Sequence, residues 1–540
     1  MLRAMRTVLD AIAESSCGTA TLTVAGTGSG PDTCLPWSAL HERAQRMAAV
    51  LAQHGIGRGS RVGLLGDTCV GLITAIQAVW LRGAAFTILP LPNRTHLLPI
   101  IADARFDLLV ADEESCAALS HAVKVLPLST LEQTTAAPVM AVRPDPDDLA
   151  ILQYTSGSTR NPRSVPVTHG NLIANLDAIE ATIGSGALDP ATACWMSWLP
   201  LYHDMGLIGF LALPMSRGCP LVLQSPVAFA LRPGSWLERL SRHRATSTGG
   251  PNFAYGLMAQ LLERPGSAIA DLSSVRYMYS GGEPIDAAMM ARFTTAAGRH
   301  GLNPGAVVAA YGLAESTLAV SFSPIGDGIT VDEVDRDTLE RDGQALPAIE
   351  GLSSRRLVRL GRAVSGTQIR IVDETAGLVV AARTVGHIEV SGPSVVGGGW
   401  LRTGDLGYLT DGELVVCGRA KDVLFAAGRN VYPQDVEAAA AQVPGVRPGG
   451  AAAFGIPADA GDRLVVAVEC RGSDTAELRK AVAIAVAAET GMAPADVVTV
   501  RPGRLPKTSS GKLRRAETRR RYFAGELTDS SAPLADRSVR

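Results

Sequence analysis

The sequence has no apolar run long enough to cross a bilayer. One strongly apolar, uncharged stretch, "TCVGLITAIQAVWL", lies between Asp67 and Arg82. That falls short of the ~20 residues a spanning helix needs and has the length of a buried helix, so no integral membrane segment is expected. Paired cysteines are missing as well. The eight cysteines, at 17, 34, 69, 116, 194, 219, 417 and 470, form no CxxC motif, which argues for reduced thiols in a cytoplasmic protein. Charge of one sign is not in excess. A formal net charge of -2 gives no bulk sign of a nucleic-acid or membrane-surface partner. The start, "MLRAMRTVLDAIAESSCG", carries Asp10 and Glu14 where an export signal needs an unbroken apolar region. It reads as an amphipathic helix.

The familiar nucleotide loops are absent too. Gly511-Lys512 is the one plausible "GK", but Pro506 stands where a Walker loop needs its first glycine and Leu513 where it needs Ser or Thr. No G-x-G-x-x-G follows a strand, and "GTGSGP" fails the spacing. No G-x-S-x-G elbow accompanies His203 and Asp204 to suggest a hydrolase triad. No internal repeat is found.

What is present is core material for more than one domain, in 540 residues of which 46% are hydrophobic. The first 150 residues alternate helical spacing ("SALHERAQRMAAVLAQHG") with short apolar runs ("SRVGLLG", "AAFTILPL", "FDLLVAD"). Such alternation predicts a parallel sheet with helices on its faces. It resumes with "GNLIANLDAIEATI", "CPLVLQ", "PGSWLERLSRH" and "AVVAAYG". From about residue 355 the texture becomes short alternating strands with turn signals, a small β-rich unit. A last mixed α/β stretch follows a boundary placed near Lys421. The basic "LRRAETRRRY" reads as a solvated helix face, and the end of the chain as a disordered tail.

One stretch stands out: "YTSGSTRNPRSVPVTHGN", residues 154–171. Hydroxyls at Thr155, Ser156, Ser158 and Thr159 surround Gly157, and Arg160 and Arg163 follow. A permissive backbone, hydroxyl donors and cations suit a polyphosphate. Taken alone, the stretch reads rather as a Ser/Thr-rich surface turn. Its company changes that. "WLPLYHDMGLIG", "STGGPNFAYGL", "YSGGEPI", "AYGLAEST", "WLRTGDLGYL", "VCGRAKDVLFAAGRNVYPQDVE" and "LPKTSSGKLRR" follow in order. This ordered set, from about residue 30 to 525, resembles the adenylate-forming superfamily of acyl-CoA ligases, luciferases and nonribosomal adenylation domains. "YTSGSTR", "LPLYHDMGLIG", "GGPNFAYGL", "YGLAEST" and "GRNVYPQDVE" resemble its fatty acyl-AMP ligase branch.

The resemblance implies an α/β fold: a large N-terminal domain (1–420) of two mixed α/β sheet subdomains plus a small β-barrel-like unit, and a small mobile C-terminal α+β domain (421–525). Residues 526–540 form the tail. It also implies ATP and Mg²⁺ as cofactors. A fatty acid becomes acyl-AMP and pyrophosphate, and the acyl group passes to the phosphopantetheine thiol of a holo acyl carrier protein, or of a carrier domain in a polyketide or nonribosomal peptide synthase. By resemblance, Thr155, Ser156, Gly157, Ser158 and Thr159, with Arg163, grip the phosphates. Glu315 faces Mg²⁺, and Tyr311 lies against adenine beside Gly312, with Gly282, Glu283 and Pro284 lining that slot. Asp405 and Arg419 hold the ribose. Lys512 is the catalytic lysine, on a mobile loop, and Lys421 the hinge. His203, Asp204 and Met205, with Gly250, Asn252 and Phe253, are acyl-pocket candidates, although a structural role for His203 and Asp204 stands beside that.

Three departures mark the chain. Pro162-Arg163-Ser164 replaces the usual Pro-Lys-Gly, Ala314 stands where many members have Thr, and Trp400-Leu401 runs directly into "RTGD" as if a surface excursion were lost. Residues 332–357 resemble the extra segment of fatty acyl-AMP ligases, associated with refusing free coenzyme A. The plain alternative is a charged surface loop. Competing expectations are an acyl-CoA ligase and a non-catalytic acyl-adenylate-binding homologue.

Overall fold

A computed structural model describes residues 6–26, 30–90, 94–155, 163–264, 270–426, 428–458, 461–470, 476–508 and 512–527. Ser156, Gly157, Ser158 and Thr159 lie outside the described residues, as does the expected tail from 528 onward. Leu527, at the start of that tail, is buried beside Phe454, Val465 and Leu505.

Among the described residues the large domain holds two large sheets, besides a four-stranded and a two-stranded one. The first has six strands in the order Val125–Pro127, Leu108–Ala111, Arg61–Leu64, Ala85–Ile88, Leu149–Thr155, Arg163–Thr168. Its strands pair in parallel except for the final hairpin. The second has nine strands. Neighbours Ser247–Gly250, Tyr277–Ser280 and Val307–Gly312 run parallel within it. Both edges turn antiparallel. Helix Val70–Leu81 is apolar on every side and is buried from Gly71 to Leu81, as its sequence requires. Trp80 Nε1 donates to Ala150 O at 3.0 Å and ties that helix to the first sheet. Parallel strands direct all their carboxyl ends to one edge, where ligands of open α/β sheets bind. Gly250, Ser280–Glu283 and Tyr311–Gly312 therefore emerge side by side.

The β-rich unit is an antiparallel meander of Gln368–Val372, Gly386–Ser391, Leu401–Thr410 and Glu413–Arg419. The abrupt Trp400-Leu401 junction does not loosen it: the Arg370 guanidinium lies 4.0 Å over the Trp400 ring, and Leu401 begins a ten-residue strand. The smaller C-terminal domain has its own sheet and apolar clusters, with helices Pro433–Ala441, Ala476–Thr490 and Arg515–Phe523. Among the described residues no helix is long and apolar enough to cross a membrane.

Residues 332–357 are not a surface loop. Strands Val331–Asp335 and Ser354–Val358 pair around helix Arg336–Asp342. Arg336, Glu340 and Arg355 are buried. Their partners come from the C-terminal domain: Arg336 reaches Glu489 at 2.6 Å and Asp435 at 3.8 Å, Arg355 reaches Asp435 at 2.7 Å, and Arg429 reaches Glu340 at 3.6 Å. Arg355 also lies 4.0 Å over the Tyr432 ring. A buried ion pair is costly to break from one side, because the other charge stays desolvated. Asp435→Ala is therefore expected to lower unfolding free energy by about 3–5 kcal/mol, read by urea denaturation, with the C-terminal domain melting first.

His169 opens helix His169–Ile183 with no exposed surface and no hydrogen-bond partner on either ring nitrogen. Burial depresses its pKa from 6.5 to about 4, although Asp148 and Asp10 pull the other way. The unfolded chain takes up this proton below pH 6.5, whereas the folded chain resists until about pH 4. Stability is thus intact above 6.5 and falls as pH drops through that window, by up to about 3 kcal/mol. His169→Leu should flatten that part of the stability–pH curve, measured by denaturant melts at pH 7, 5.5 and 4.5.

Candidate active site

Lys512 follows a hairpin near the end of the chain. Thr508 N donates to Lys512 O at 2.8 Å, Lys512 N to Thr508 Oγ1 at 3.1 Å, and Arg514 N to Pro506 O at 2.9 Å. Both flanks of the hairpin are pinned. Fully buried Glu469 accepts Gly503 N at 2.8 Å and Leu505 N at 3.1 Å, and pairs with Arg447 at 2.9 Å. On the exit side Arg515 grips both Glu437 oxygens at 2.7 Å and Asp422 at 2.9 Å. Arg515 belongs to the basic run read as a solvated face, yet it is a partly buried strut beside Lys421, which lies in the short turn Ala420–Asp422.

The Lys512 ammonium feels Asp204, Glu283 and Asp405 of the large domain, and Arg419 as well. Burial lowers its pKa, and the three carboxylates oppose that. Burial likewise raises the Asp405 and Glu283 carboxyls. Burial would raise Asp204 too, but the His203 charge and hydrogen bond, Lys512 and the Met205 amide hold it below the ordinary range.

Asp405 sits in the Leu401–Thr410 strand directly across from Arg419. It accepts the Tyr311 hydroxyl at 2.7 Å, and Arg419 Nε approaches its other oxygen at 3.3 Å. Thr403 Oγ1 accepts Asp405 N at 3.1 Å. Burial, then the Asp405 charge, pushes the Tyr311 phenol well up, so it stays a donor. Gly312 has no room for a side chain, since a Cβ would lie 1.9 Å from Leu318 O. Gly282 has φ +80° and open space where a Cβ would point, so a ligand can approach its backbone. Pro284 is exposed beside it. The Glu283 carboxylate accepts Phe253 N at 2.8 Å, and Asn252 Oδ1 accepts Asp286 N at 3.2 Å. These two bonds join the 250–253 segment to the 282–286 segment.

Thr155 and Arg163 face each other across the first sheet's terminal hairpin. Thr155 Oγ1 donates to Arg163 O at 3.4 Å, and Arg163 is exposed. Half-buried Glu315 lies in a short turn, Ala314–Ser316. Among the described residues no group of three or more His, Cys, Asp or Glu side chains could enclose a metal. A single carboxylate fits Mg²⁺, which keeps several waters and takes its other ligands from substrate phosphates.

His203 Nδ1 lies 2.7 Å from Asp204 Oδ1, which also accepts Met205 N at 2.7 Å. These open a π-helix, Met205–Ala212, buried from Gly206 onward. No period in the sequence announces it. The one signal is Gly206 and Gly209, whose Cβ atoms would meet Pro200 O at 2.4 Å and the Leu318 side chain at 3.1 Å. Phe253 is part-exposed and edge-on to Trp198 at 6.4 Å, and Trp198 stacks on Phe229 at 3.6 Å. Sequence reasoning missed Trp198 and Phe229. Gly250 packs against Trp236 and Trp198. Of the six acyl-pocket candidates, Gly250 and Phe253 thus adjoin an apolar, aromatic wall.

The profile of AMP-binding enzymes matches residues 14–400. A Mycobacterium tuberculosis protein named only as a candidate ligase, Rv1013, is 41% identical over 517 residues, 89% of this chain and 93% of that protein. The long-chain-fatty-acid–AMP ligase FadD26 of Mycobacterium marinum is 32% identical over 543 residues, 90% of this chain and 91% of its own. A structure from work on fatty acyl-adenylate ligases of E. coli and L. pneumophila superimposes with a TM-score of 0.89 at 36% identity, covering 96% of this chain and 98% of the other. The chain belongs to the AMP-binding enzymes, in the fatty acyl-AMP ligase branch of the adenylate-forming superfamily, and is an ATP-dependent ligase that activates an acid as its acyl adenylate.

Proposed function

We propose that the enzyme activates a fatty acid and then passes the acyl group to the phosphopantetheine thiol of a holo acyl carrier protein or carrier domain. The observation that carries the activation step is half-buried Lys512, whose ammonium is held charged by the nearby Asp204, Glu283 and Asp405 against the cost of burial. The acid's carboxylate attacks the α-phosphorus in line and pyrophosphate leaves, so negative charge gathers where Lys512 is delivered. A unit charge pair near 4 Å at an effective dielectric of ~20 is worth about 4 kcal/mol. Half of that, realised only in the transition state, is roughly thirtyfold in rate.

In this reading Tyr311 and Gly312, with Gly282, Glu283 and Pro284, border the adenine. Asp405 accepts the ribose hydroxyls and Arg419 donates to them. The segment from Thr155 to Thr159, with Arg163, receives the β- and γ-phosphates. Glu315 would hold Mg²⁺, which neutralises phosphate charge. The apolar wall around Gly250 and Phe253 favours an alkyl chain, as does the fatty-acid substrate in FadD26's name.

Lys421 is the hinge between a large domain, 1–420, and a small one, 421–525. The folded 332–357 segment, bound to the C-terminal domain by ion pairs, supports a carrier thiol over free coenzyme A. The eight cysteines form no CxxC pair, which fits a reducing cytoplasm.

Carboxylate-dependent exchange of labelled pyrophosphate into ATP, across acids of graded length, tests the first step. Long-chain acids should support exchange and short ones should not. Supplying holo carrier protein or coenzyme A tests the second, and efficient acyl-CoA formation would reject the carrier reading. Tyr311→Phe removes a hydrogen bond to an ionised partner, worth about 1.5–3 kcal/mol. It is expected to raise the KM for ATP about tenfold or more, with the KM for the acid unchanged.

A further inference from the structure

The turn that presents Glu315 is strained. Thr317, β-branched, has φ 66° and ψ -61°, and Leu318 N donates to Ser316 O at 2.8 Å. That is a γ-turn with a positive central φ, a conformation that costs energy and persists only where its surroundings hold it.

The surroundings do hold it. Asn175, fully buried on helix His169–Ile183, accepts Ala319 N at 3.0 Å through Oδ1. Its Nδ2 donates to Ala319 O at 3.0 Å and to Ser316 O at 3.5 Å. One turn earlier, Asn171 Nδ2 donates to Pro393 O at 2.8 Å and to Val395 O at 3.4 Å. The segment so held returns to the turn: Thr317 Oγ1 donates to Ser394 O at 2.7 Å, and Val396 N to Glu315 O at 2.9 Å. The helix begins directly after strand Arg163–Thr168. A single rigid element thus joins the hairpin that frames residues 156–162 to the turn that carries Glu315.

We propose that Asn175 is a positioning residue for Glu315: by bonding both main-chain groups of Ala319 it holds the Thr317 turn in its strained form and fixes where the carboxylate meets the nucleotide-bound cation. This rests on the reading of Glu315 as the Mg²⁺-facing group. A buried amide that only satisfied backbone groups would support stability and nothing else. An amide that positions a metal ligand also sets metal affinity, where supporting residues are typically worth 10–100-fold.

The test compares Asn175→Ala, with Asn175→Ser should the first fail to fold, against Leu176→Ala. Leu176 is buried on the same helix and serves as a control for lost packing. Two quantities are read: the Mg²⁺ concentration for half-maximal pyrophosphate exchange, and amide hydrogen exchange of residues 313–320 in the ligand-free protein. Asn175→Ala is expected to raise the Mg²⁺ requirement about tenfold and to speed exchange in 313–320. Leu176→Ala should lower the melting temperature and move neither. The double variant Asn175→Ala/Glu315→Gln should show no larger Mg²⁺ shift than Glu315→Gln alone. A wild-type Mg²⁺ dependence in Asn175→Ala, or an equal shift in Leu176→Ala, overturns the proposal while leaving Glu315's role standing if Glu315→Gln is shifted. An unshifted Glu315→Gln removes that role, and the proposal with it.

Discussion

An ammonium partly withdrawn from water is tolerable only with anions near it, and half-buried Lys512 is placed under that constraint. Its three carboxylate neighbours come from segments far apart in sequence: the start of the π-helix, the glycine-rich end of a parallel strand, and the antiparallel meander. The lysine itself comes from another domain. Two of the carboxylates come from segments next to the nine-stranded sheet and the third from the meander. The same carboxylates have other partners. Asp405 is bonded to Tyr311 and Arg419, Glu283 to the start of helix Asn252–Leu262, and Asp204 to His203. Those bonds hold the carboxylates in place independently of the lysine.

Rigidity and movement are divided between different contacts. Within the C-terminal domain, Glu469 and Arg515 fix the lysine hairpin to its own sheet and to the turn beside Lys421, so the hairpin moves only with the whole domain. Between domains, the Arg336, Arg355, Asp435 and Glu489 pairs join the two. Charge pairs suit such a contact, because on separation water solvates both sides, whereas an apolar interface would be left exposed. The proposed rotation, which would deliver the lysine for one step and withdraw it for the next, would have to break these pairs.

Much of this was legible in the sequence where a short-range pattern existed. The strand ending in Tyr311 and Gly312, the helix Val70–Leu81 and the meander around Asp405 follow from alternation, apolar length and turn residues. Lys512 could be singled out because "LPKTSSGK" completes an ordered set. What stayed hidden depends on partners distant in the chain. Arg336 and Arg355 look like surface charges until Asp435 and Glu489 arrive, 80 or more residues later, to justify their burial. The π-helix has no apolar period to betray it, being buried on all sides from Gly206 onward. Asn175 reads as one polar residue in an apolar helix, and only the strained Thr317 turn shows what it holds. Arg515 was hidden by its company, a basic run whose other members bear the look of a solvated face.

The account turns on the charge that Lys512 carries. The most direct measurement is carboxylate-dependent pyrophosphate exchange by Lys512→Gln beside the wild type, with thiol transfer from supplied acyl-AMP measured on the same preparations. The account predicts exchange reduced at least thirtyfold and transfer largely retained. Exchange within twofold of the wild type would contradict it.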